Sequence, residues 1–387
     1  MSHKPSSLIG LGTTRMALRM FQNIYFQRTL MSSINLLSKT LKETGLAVLA
    51  MLPFSSYAQY SVSDNIQVSG FGTVSAAKSD NDTPVIANRD VTDEWCFDCD
   101  TTLGLQLNWL IDTNLRSTLQ VVKRPQDHFS SPELERASIE YSFGDTRVTA
   151  GRLRVPLFIM SEYYYVSSAY PWLRLPLEIY TNNLGITYYD GVTADMSFLL
   201  GDDLQLSVSP FYSIPREVDY LYYGETLSLD ISRAIGVSSE LYYGDNLVRF
   251  AYVNVDAAQQ GELPGLPVYK MNIFSLGLSH YFGALHFQAE TMLTNDISAN
   301  WYAGFDYNFG QITPYIQYGQ TRVSTSSESY LIGFRYDWTP QLNTSVEWQR
   351  FAGEENVISG QFTRPQDPTK PLTSKVDVVS IGLSFTF

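Results

Sequence analysis

The C-terminal residues of the chain alternate strictly between apolar and polar positions. The apolar positions are Val379, Ile381, Leu383, Phe385 and Phe387. Serine, glycine or threonine occupies each position between them. A β-strand places successive side chains on opposite faces, so this pattern predicts a strand with one apolar face and one polar face. The same alternation occurs near 102–110, 301–309 and 330–338, with aromatic residues at both ends of the apolar rows.

Tight turns and longer polar loops separate the alternating segments in regular succession. Glycine, aspartate, asparagine and proline mark seven tight turns, at 111–114, 144–145, 201–203, 244–246, 282–283, 309–310 and 339–341. Eight longer loops lie near 78–98, 124–133, 155–182, 214–228, 258–268, 294–298, 322–327 and 352–374. Fifteen connections join sixteen strands, and an even number of strands with turns at one end and loops at the other is typical of bacterial outer-membrane barrels. The sequence therefore predicts an all-β fold, a transmembrane antiparallel β-barrel of about 16 strands, as a single domain over residues 59–387.

Residues 31–58 have the pattern of a secretory signal peptide. Two lysines precede a short apolar run, and the small residues Ser56 and Ala58 fit a cleavage site before Gln59. Residues 1–30 resemble neither a signal nor a domain, and we interpret them as a mis-assigned upstream start. The alternative is a long basic leader that is translated.

The composition fits a barrel that contacts lipid outside and water inside. The chain has 26 tyrosines and 21 phenylalanines, yet its mean hydropathy is only −0.11. A soluble β-sandwich or propeller would also alternate, but the signal peptide, the terminal phenylalanine and the regular turns favour the barrel. The net charge of −13 argues against a nucleic-acid partner and is only weak evidence for a preference for cations.

Cys96 and Cys99 are the only cysteines of the chain. In an exported protein this spacing forms either a small disulfide within a loop or a redox pair. The surrounding residues predict a loop followed by a strand, and a redox motif would need a strand-to-helix context, so we expect the loop disulfide. Two cysteines cannot complete a four-ligand zinc site, and we expect no metal and no cofactor.

Two segments carry a resemblance to a known family. Asp377–Phe387 is similar to the C-terminal strand of Gram-negative outer-membrane barrels, and Gly144–Arg152 is similar to a turn and strand that end in Gly-Arg before a long third loop. The chain thus resembles the general porins, sixteen-stranded trimeric channels for small solutes. The resemblance implies a homotrimer in the outer membrane of a Gram-negative bacterium, in contact with lipid and lipopolysaccharide. It also implies insertion by the barrel-assembly machinery, with Phe387 as the end of the assembly signal.

The resemblance further implies that residues 155–182 fold back into the lumen and narrow it. Period-two parity places Arg116 and Arg136 on inward polar rows, and the resemblance adds Arg152 to this basic wall. The acids available on the loop are Glu162 and Glu178. Opposed charges across a narrow aperture favour polar solutes over apolar ones. The alternative is that these are ordinary lumen or surface charges, and weaker candidates are Arg154, Arg174 and Arg335.

The third loop also departs from the family pattern. It lacks the Pro-Glu-Phe-Gly-Gly-Asp type of tip and is instead rich in aromatic residues, over Met160–Tyr165 and Tyr170–Pro176. These aromatics either form the core of the loop or present a stacking surface to a ring-shaped or sugar-like solute.

The function predicted from the sequence is passive diffusion of small hydrophilic solutes and ions through a water-filled channel. The alternatives are a substrate-selective porin with an aromatic constriction loop and a structural or adhesive barrel. An enzymatic barrel needs a poised histidine. The histidines after the signal are His128, His280 and His286, and none shows a recognisable spacing to a serine or an aspartate, so we expect no enzymatic activity.

Overall fold

The computed structural model describes most of the chain after the predicted signal peptide. The described residues are 60–87, 89–125, 131–181, 187–222, 225–259, 269–295, 298–323, 326–354, 359–362, 369 and 373–387. The leader and signal peptide predicted at 1–58 lie outside the described residues.

Antiparallel β-strands make up most of the described structure. They are β1 Tyr60–Ser63, β2 Ile66–Ser79, β3 Thr102–Leu110, β4 Leu115–Lys123, β5 Glu133–Phe143, β6 Thr146–Arg154, β7 Tyr188–Leu199, β8 Leu204–Ser213, β9 Arg216–Tyr222, β10 Glu225–Tyr243, β11 Asn246–Gln259, β12 Tyr269–Phe282, β13 Leu285–Thr294, β14 Ser298–Tyr307, β15 Ile312–Val323, β16 Ser327–Thr339, β17 Leu342–Gly353 and β18 Lys375–Thr386. The segment between β6 and β7 contains two 3₁₀ turns, Ser161–Tyr163 and Ser167–Ala169, and a one-turn α-helix, Leu177–Tyr180. In the described part of the chain, no helix has the length and apolar character needed to cross a membrane.

The sheet closes into a barrel of sixteen strands, which confirms the predicted fold class. β2 pairs with β18 from Val378 opposite Ser79 to Thr386 opposite Phe71, and this pairing joins the two ends of the sheet. β8 pairs directly with β10, so the ring consists of β2–β8 and β10–β18. β1 and β9 are additions to this ring, since β1 pairs with the start of β2 and β9 pairs with the first part of β10.

The connections follow the predicted succession with one correction. Each of the seven predicted tight turns joins two neighbouring strands. The turn glycines at 144, 244, 283 and 310 have φ between 56° and 91°, a backbone region that glycine enters without a steric cost. The predicted loop at 214–228 is wrong, because β9 and the start of β10 form a hairpin there. Val218, Leu229 and Ile231 are buried in this hairpin, so its alternating apolar residues continue the strand pattern beyond the barrel ring.

The two faces of the strands differ sharply in chemistry and exposure. On β18, Val379 and Ile381 are 47% and 46% exposed, whereas Ser380 and Ser384 are buried. The same division recurs around the barrel, with exposed leucine, isoleucine and aromatic side chains on the outer rows and buried small or polar side chains on the inner rows. An apolar outer surface around a polar interior is the inverse of a soluble sandwich and is characteristic of membrane barrels.

Two buried apolar clusters connect loop residues with the inner rows of the strands. The first joins the segment between β6 and β7 to Met292, Tyr302, Tyr315 and Leu331 of β13–β16. The second joins Val85, Ile86 and Phe362 to Phe351, Val376 and Val378 at the loop end of β17 and β18. A backbone bridge between Val85 and Phe362 links the two loops involved.

Cys96 and Cys99 form a disulfide in the connection between β2 and β3, with their Cα atoms 5.7 Å apart. Cys96 also forms an isolated β-bridge with Ala77, with both N–H···O distances at 2.8 Å. The bridge fixes one end of this small ring to the last residues of β2.

Candidate functional site

A buried glutamate of β13 holds the segment 155–181 at its beginning and its end. The Glu290 carboxylate accepts a hydrogen bond from the Ile159 backbone N–H at 2.7 Å and from the Tyr180 hydroxyl at 2.6 Å. The Tyr302 hydroxyl donates to the same carboxylate at 2.7 Å. Glu290 is only 3% exposed, so these three donors replace the water that a buried carboxylate would otherwise require.

A second buried glutamate, Glu347 of β17, holds the middle of the segment. Its carboxylate accepts from the Leu173 backbone N–H at 2.7 Å and from the Tyr315 hydroxyl at 3.0 Å. The guanidinium of Arg174 lies 3.9 Å from Glu347 and 3.4 Å from Asp100. Burial lowers the pKa of Arg174 from its ordinary value. The two acids offset this cost, and together they fix the segment against β17 and the loop after β2.

Arginines of the barrel wall bind backbone carbonyls of the same segment. Arg335 of β16 donates to the Ser168 and Tyr170 carbonyls at 2.9 and 3.0 Å. Arg249 of β11 donates to the Pro156 carbonyl at 2.9 Å. The segment therefore has polar attachments on strands from β11 to β17.

The aromatic residues of the segment are mostly buried in its own core. Phe158 and Tyr180 pack with ring centroids 5.1 Å apart, and Trp172 packs edge-on against Tyr302 of β14 at 6.1 Å. Also buried are Tyr165 and Tyr170. Tyr163 is the exception, at 54% exposure. Burial of side chains of this size contributes about 1.5–3 kcal/mol each, which accounts for the aromatic composition of the segment without a solute.

One predicted pair of opposite charges is brought together. The Arg136 guanidinium of β5 donates to the Glu162 carboxylate at the start of the segment at 2.9 Å. The side chains remain 25% and 50% exposed. Glu162 and the exposed Tyr163 belong to the segment and are called its tip below, and Arg136 belongs to the barrel wall opposite them.

The other predicted residues lie elsewhere. Glu178 is 2% exposed and packs against Gly319 of β15, where an added Cβ would collide with its carboxyl group. Burial raises the pKa of Glu178 above its ordinary value. Arg116 is exposed near the turn end of β4, opposite Glu140 and distant in register from Arg136. Neither residue joins the Arg136–Glu162 pair.

Arg152 occupies the opposite row from the one the resemblance implied. Its register partner is Ala137, which alternates with the inward residues Arg136 and Ser138. The Arg152 guanidinium instead pairs with Asp190 of β7 at 2.9 Å and lies 4.1 Å from the centre of the Tyr188 ring. The weaker candidate Arg154 is buried against Glu135.

Sequence reasoning missed several inward charges that are paired along the wall. Arg147 of β6 lies 3.2 Å from Asp195 of β7 and 3.8 Å from Glu140. Elsewhere on the wall, Arg249 pairs with Glu240. Arg335, which the sequence did offer as a weaker candidate, lies 2.7 Å from Asp337 on the same inner row. Period-two parity was the available signal for these residues, since each lies on an inner row.

Comparison with known proteins supports the fold. Neither a protein-family model nor a curated relative matches the chain. Among solved structures, it is similar to an anion-selective porin from Comamonas acidovorans, with 12% identity, a TM-score of 0.58, and 83% and 99% of the two chains covered. It is also similar to Salmonella typhi OmpF in complex with daunomycin, with 12% identity, a TM-score of 0.57, and 85% and 100% covered. The outer membrane channel DcaP of Acinetobacter baumannii matches with 13% identity, a TM-score of 0.56, and 83% and 97% covered.

The chain has the porin fold. The sixteen-stranded barrel and these similarities confirm the predicted resemblance at the level of architecture. At 12–13% identity, the similarities establish the fold and carry no information on the solute.

Proposed function

We propose that this protein is a porin of a Gram-negative outer membrane, through which small hydrophilic solutes and ions diffuse passively. The observation that carries the proposal is the attachment of the segment 155–181 to inner-row residues of many strands. Glu290, Glu347, Arg249 and Arg335 all lie on inner rows, and each contacts this segment. A segment that reaches them all fits best inside the barrel, where it narrows a wide polar lumen.

The narrowed passage runs between the tip of the segment and the wall of β5–β7. Side chains there keep substantial exposure, with Arg147 at 51%, Glu162 at 50% and Asp195 at 26%. On the opposite wall, Glu290 and Glu347 are 3% and 2% exposed because the segment covers them. This difference in exposure supports the proposal of an aqueous path along the first wall.

The charges beside the passage are balanced. Arg136 faces Glu162, and Arg147 faces both Asp195 and Glu140. Arg116 is opposite Glu140 in register, so three arginines stand against three acids. Charged walls concentrate counter-ions only where one sign is in excess. We therefore expect weak selectivity between small anions and cations, despite the net charge of −13 on the whole chain.

The test is the current through the refolded mature protein in a planar bilayer under a salt gradient. We expect open-channel steps in groups of three from a homotrimer, with a reversal potential near zero. Arg136→Gln leaves Glu162 unpaired and shifts selectivity toward cations, and Glu162→Gln shifts it toward anions. The matched control is Arg350→Gln, which removes an arginine from an outer-row pair with Asp377 at 2.7 Å and should leave the reversal potential unchanged. The absence of current from correctly folded protein would overturn the proposal.

A structural or adhesive barrel is the second candidate. It is favoured by the second apolar cluster, in which Val85, Ile86 and Phe362 cover inner-row residues at the loop end. A substrate-selective channel has less support, because only Tyr163 among the described aromatics of the segment is substantially exposed. The bilayer recording separates these candidates, since a blocked barrel carries no current and a selective one is blocked by its solute.

Export, assembly and partners form part of the same proposal. We expect the signal at 31–58 to direct export, and Phe387 to end the strand read by the barrel-assembly machinery. Phe387 exchanges two 2.9 Å backbone hydrogen bonds with Gly70 of β2, so the terminal residue completes the closing pair of strands. We further expect a homotrimer in contact with lipid and lipopolysaccharide, and no cofactor or nucleic acid.

A further inference from the structure

Three inner-row residues near the turn end of the barrel form a hydrogen-bonded chain of serine, histidine and aspartate. The Ser279 hydroxyl of β12 lies 2.8 Å from Nε2 of His286 of β13. Nδ1 of the same imidazole lies 2.7 Å from a carboxylate oxygen of Asp306 of β14. With an ionised Asp306, Nδ1 carries the proton and donates it to the carboxylate, which leaves the Nε2 lone pair free to accept the serine proton.

This arrangement differs from the other hydroxyl contacts of the interior. Thr73 and Ser384 pair with each other at 2.9 Å, and Ser197 pairs with Ser207 at 3.4 Å. Such pairs satisfy two hydroxyls and leave neither one activated. Ser279 instead contacts a base that is itself oriented by an acid, which is the relation that activates a serine nucleophile.

The strands hold the three residues in register. His286 is directly opposite Asp306 in the pairing of β13 with β14, and the tight turn between β12 and β13 brings Ser279 beside it. Tyr281 stacks on the imidazole with ring centroids 4.2 Å apart and an angle of 15° between the planes. Side chains positioned by a rigid sheet and a stacked ring meet the requirement that a catalytic group be fixed before the substrate arrives.

We propose that Ser279 is the nucleophile of an esterase site in the barrel interior, with small carboxylic esters as its substrates. The serine oxygen attacks the carbonyl carbon while His286 takes the hydroxyl proton at Nε2. The bond from the carbonyl carbon to the alcohol oxygen then breaks, the alcohol leaves with that proton, and an acyl-serine ester remains. A water molecule attacks this ester and gives a proton to His286, which returns it to the serine oxygen as the carboxylic acid is released.

Turnover at this site is expected to be slow. Backbone N–H groups around Ser279 belong to the ladders with β11 and β13, so they are not aimed at the oxygen of a bound carbonyl. Ser279 is 8% exposed, and the ring of Tyr281 covers one face of the imidazole. A covalent probe that accumulates on the serine is therefore a more sensitive readout than product formation.

The experiment is labelling of the folded full-length mature protein in detergent with a small alkyl fluorophosphonate, followed by peptide mass spectrometry. We expect a phosphonyl adduct on Ser279, formed as fluoride leaves the phosphorus. His286→Gln should reduce the labelling rate by about 100-fold or more, because the base is lost while the hydroxyl remains. The matched control is Ser238→Ala, which removes a buried inner-row serine of β10 and should leave labelling unchanged. An unlabelled Ser279, or equal labelling of wild type and His286→Gln, would overturn the proposal.

Hydrolysis of 4-nitrophenyl acetate provides the second measurement. We expect Ser279→Ala and Asp306→Asn to lower the rate above background by about 100-fold. Each variant is first checked for the shift in electrophoretic mobility that folded barrels show before heating. If Ser279→Ala does not fold, Asp306→Asn, which keeps the side-chain volume, decides the question. Both assays use detergent-solubilised protein and do not depend on whether the barrel conducts.

Discussion

Glu290 should control how firmly the segment 155–181 is attached to the barrel. In Glu290→Gln, the remaining carbonyl oxygen can still accept from Tyr180 and Tyr302, which both donate to Oε1. The amide nitrogen then replaces the oxygen that accepts the Ile159 N–H at 2.7 Å, so two donors face each other. A buried N–H without an acceptor costs about 1–3 kcal/mol. The equilibrium for local detachment should therefore rise roughly 5- to 150-fold, since 1.4 kcal/mol corresponds to a factor of ten.

Amide hydrogen exchange measures this change directly. We expect faster exchange at Ile159 in Glu290→Gln, by a factor in the same range, with unchanged exchange in the β13–β14 ladder. The control is Glu328→Gln on β16, an outer-row glutamate that accepts a hydrogen bond from the Tyr330 hydroxyl at 2.7 Å. Exchange at Ile159 that stays within twofold of wild type would refute the role of Glu290 as an anchor.

Three further predictions test other parts of the fold. Burial raises the pKa of Glu178 above 4.5, so the folded state holds the proton more tightly than the unfolded state. Attachment of the segment should therefore weaken as the pH rises from 4.5 through the raised pKa. Amide hydrogen exchange of the segment, measured against pH, should lose this dependence in Glu178→Gln. Gly151→Ala should destabilise the barrel by about 1–3 kcal/mol or more in urea unfolding, because Gly151 has φ 126° and an added Cβ would collide with the Ala137 carbonyl. Reduction of the Cys96–Cys99 disulfide should cost about 2 kcal/mol of local stability, seen as faster proteolysis between β2 and β3. The shift in electrophoretic mobility between unheated and heated protein, which reports the folded barrel, should be unchanged.

The sequence predicted the barrel well because its strands are governed by local rules. Each membrane strand must alternate between lipid-facing and interior side chains, so the period-two pattern persists along the whole ring. The turns are encoded by the same few residue types, and the four turn glycines with positive φ fall where the sequence placed them. The hairpin at 216–231 was predicted as a loop because polar residues interrupt its alternation, although Val218, Leu229 and Ile231 keep the strand parity.

The site was only partly predictable because its contacts depend on the path of the long segment. Arg136 and Glu162 could be paired in advance, since one has inward parity and the other lies near the start of the segment. Arg152 shows the limit of the resemblance, which implied an inward position for this residue. Thr149 faces inward, and counting alternate residues from it places Arg152 on the outer row. Glu178 is buried by a helical turn against β15, a contact between distant parts of the chain that no local pattern encodes.

The inner rows of the barrel strands fall into two unlike groups, which differ in how much their stability depends on individual charges. On β13–β17 the inner rows carry buried glutamates, tyrosines and amides that the segment 155–181 covers and satisfies. On β5–β10 the inner rows carry half-exposed ion pairs such as Arg147 with Asp195. Buried charges tolerate little change, because removing one partner leaves the other unpaired in a medium of low dielectric constant. Exposed pairs contribute only about 0–1 kcal/mol to stability, so their charges can change with little cost to the fold. We therefore infer that variation in solute selectivity can arise on β5–β10 without disturbing the anchored group.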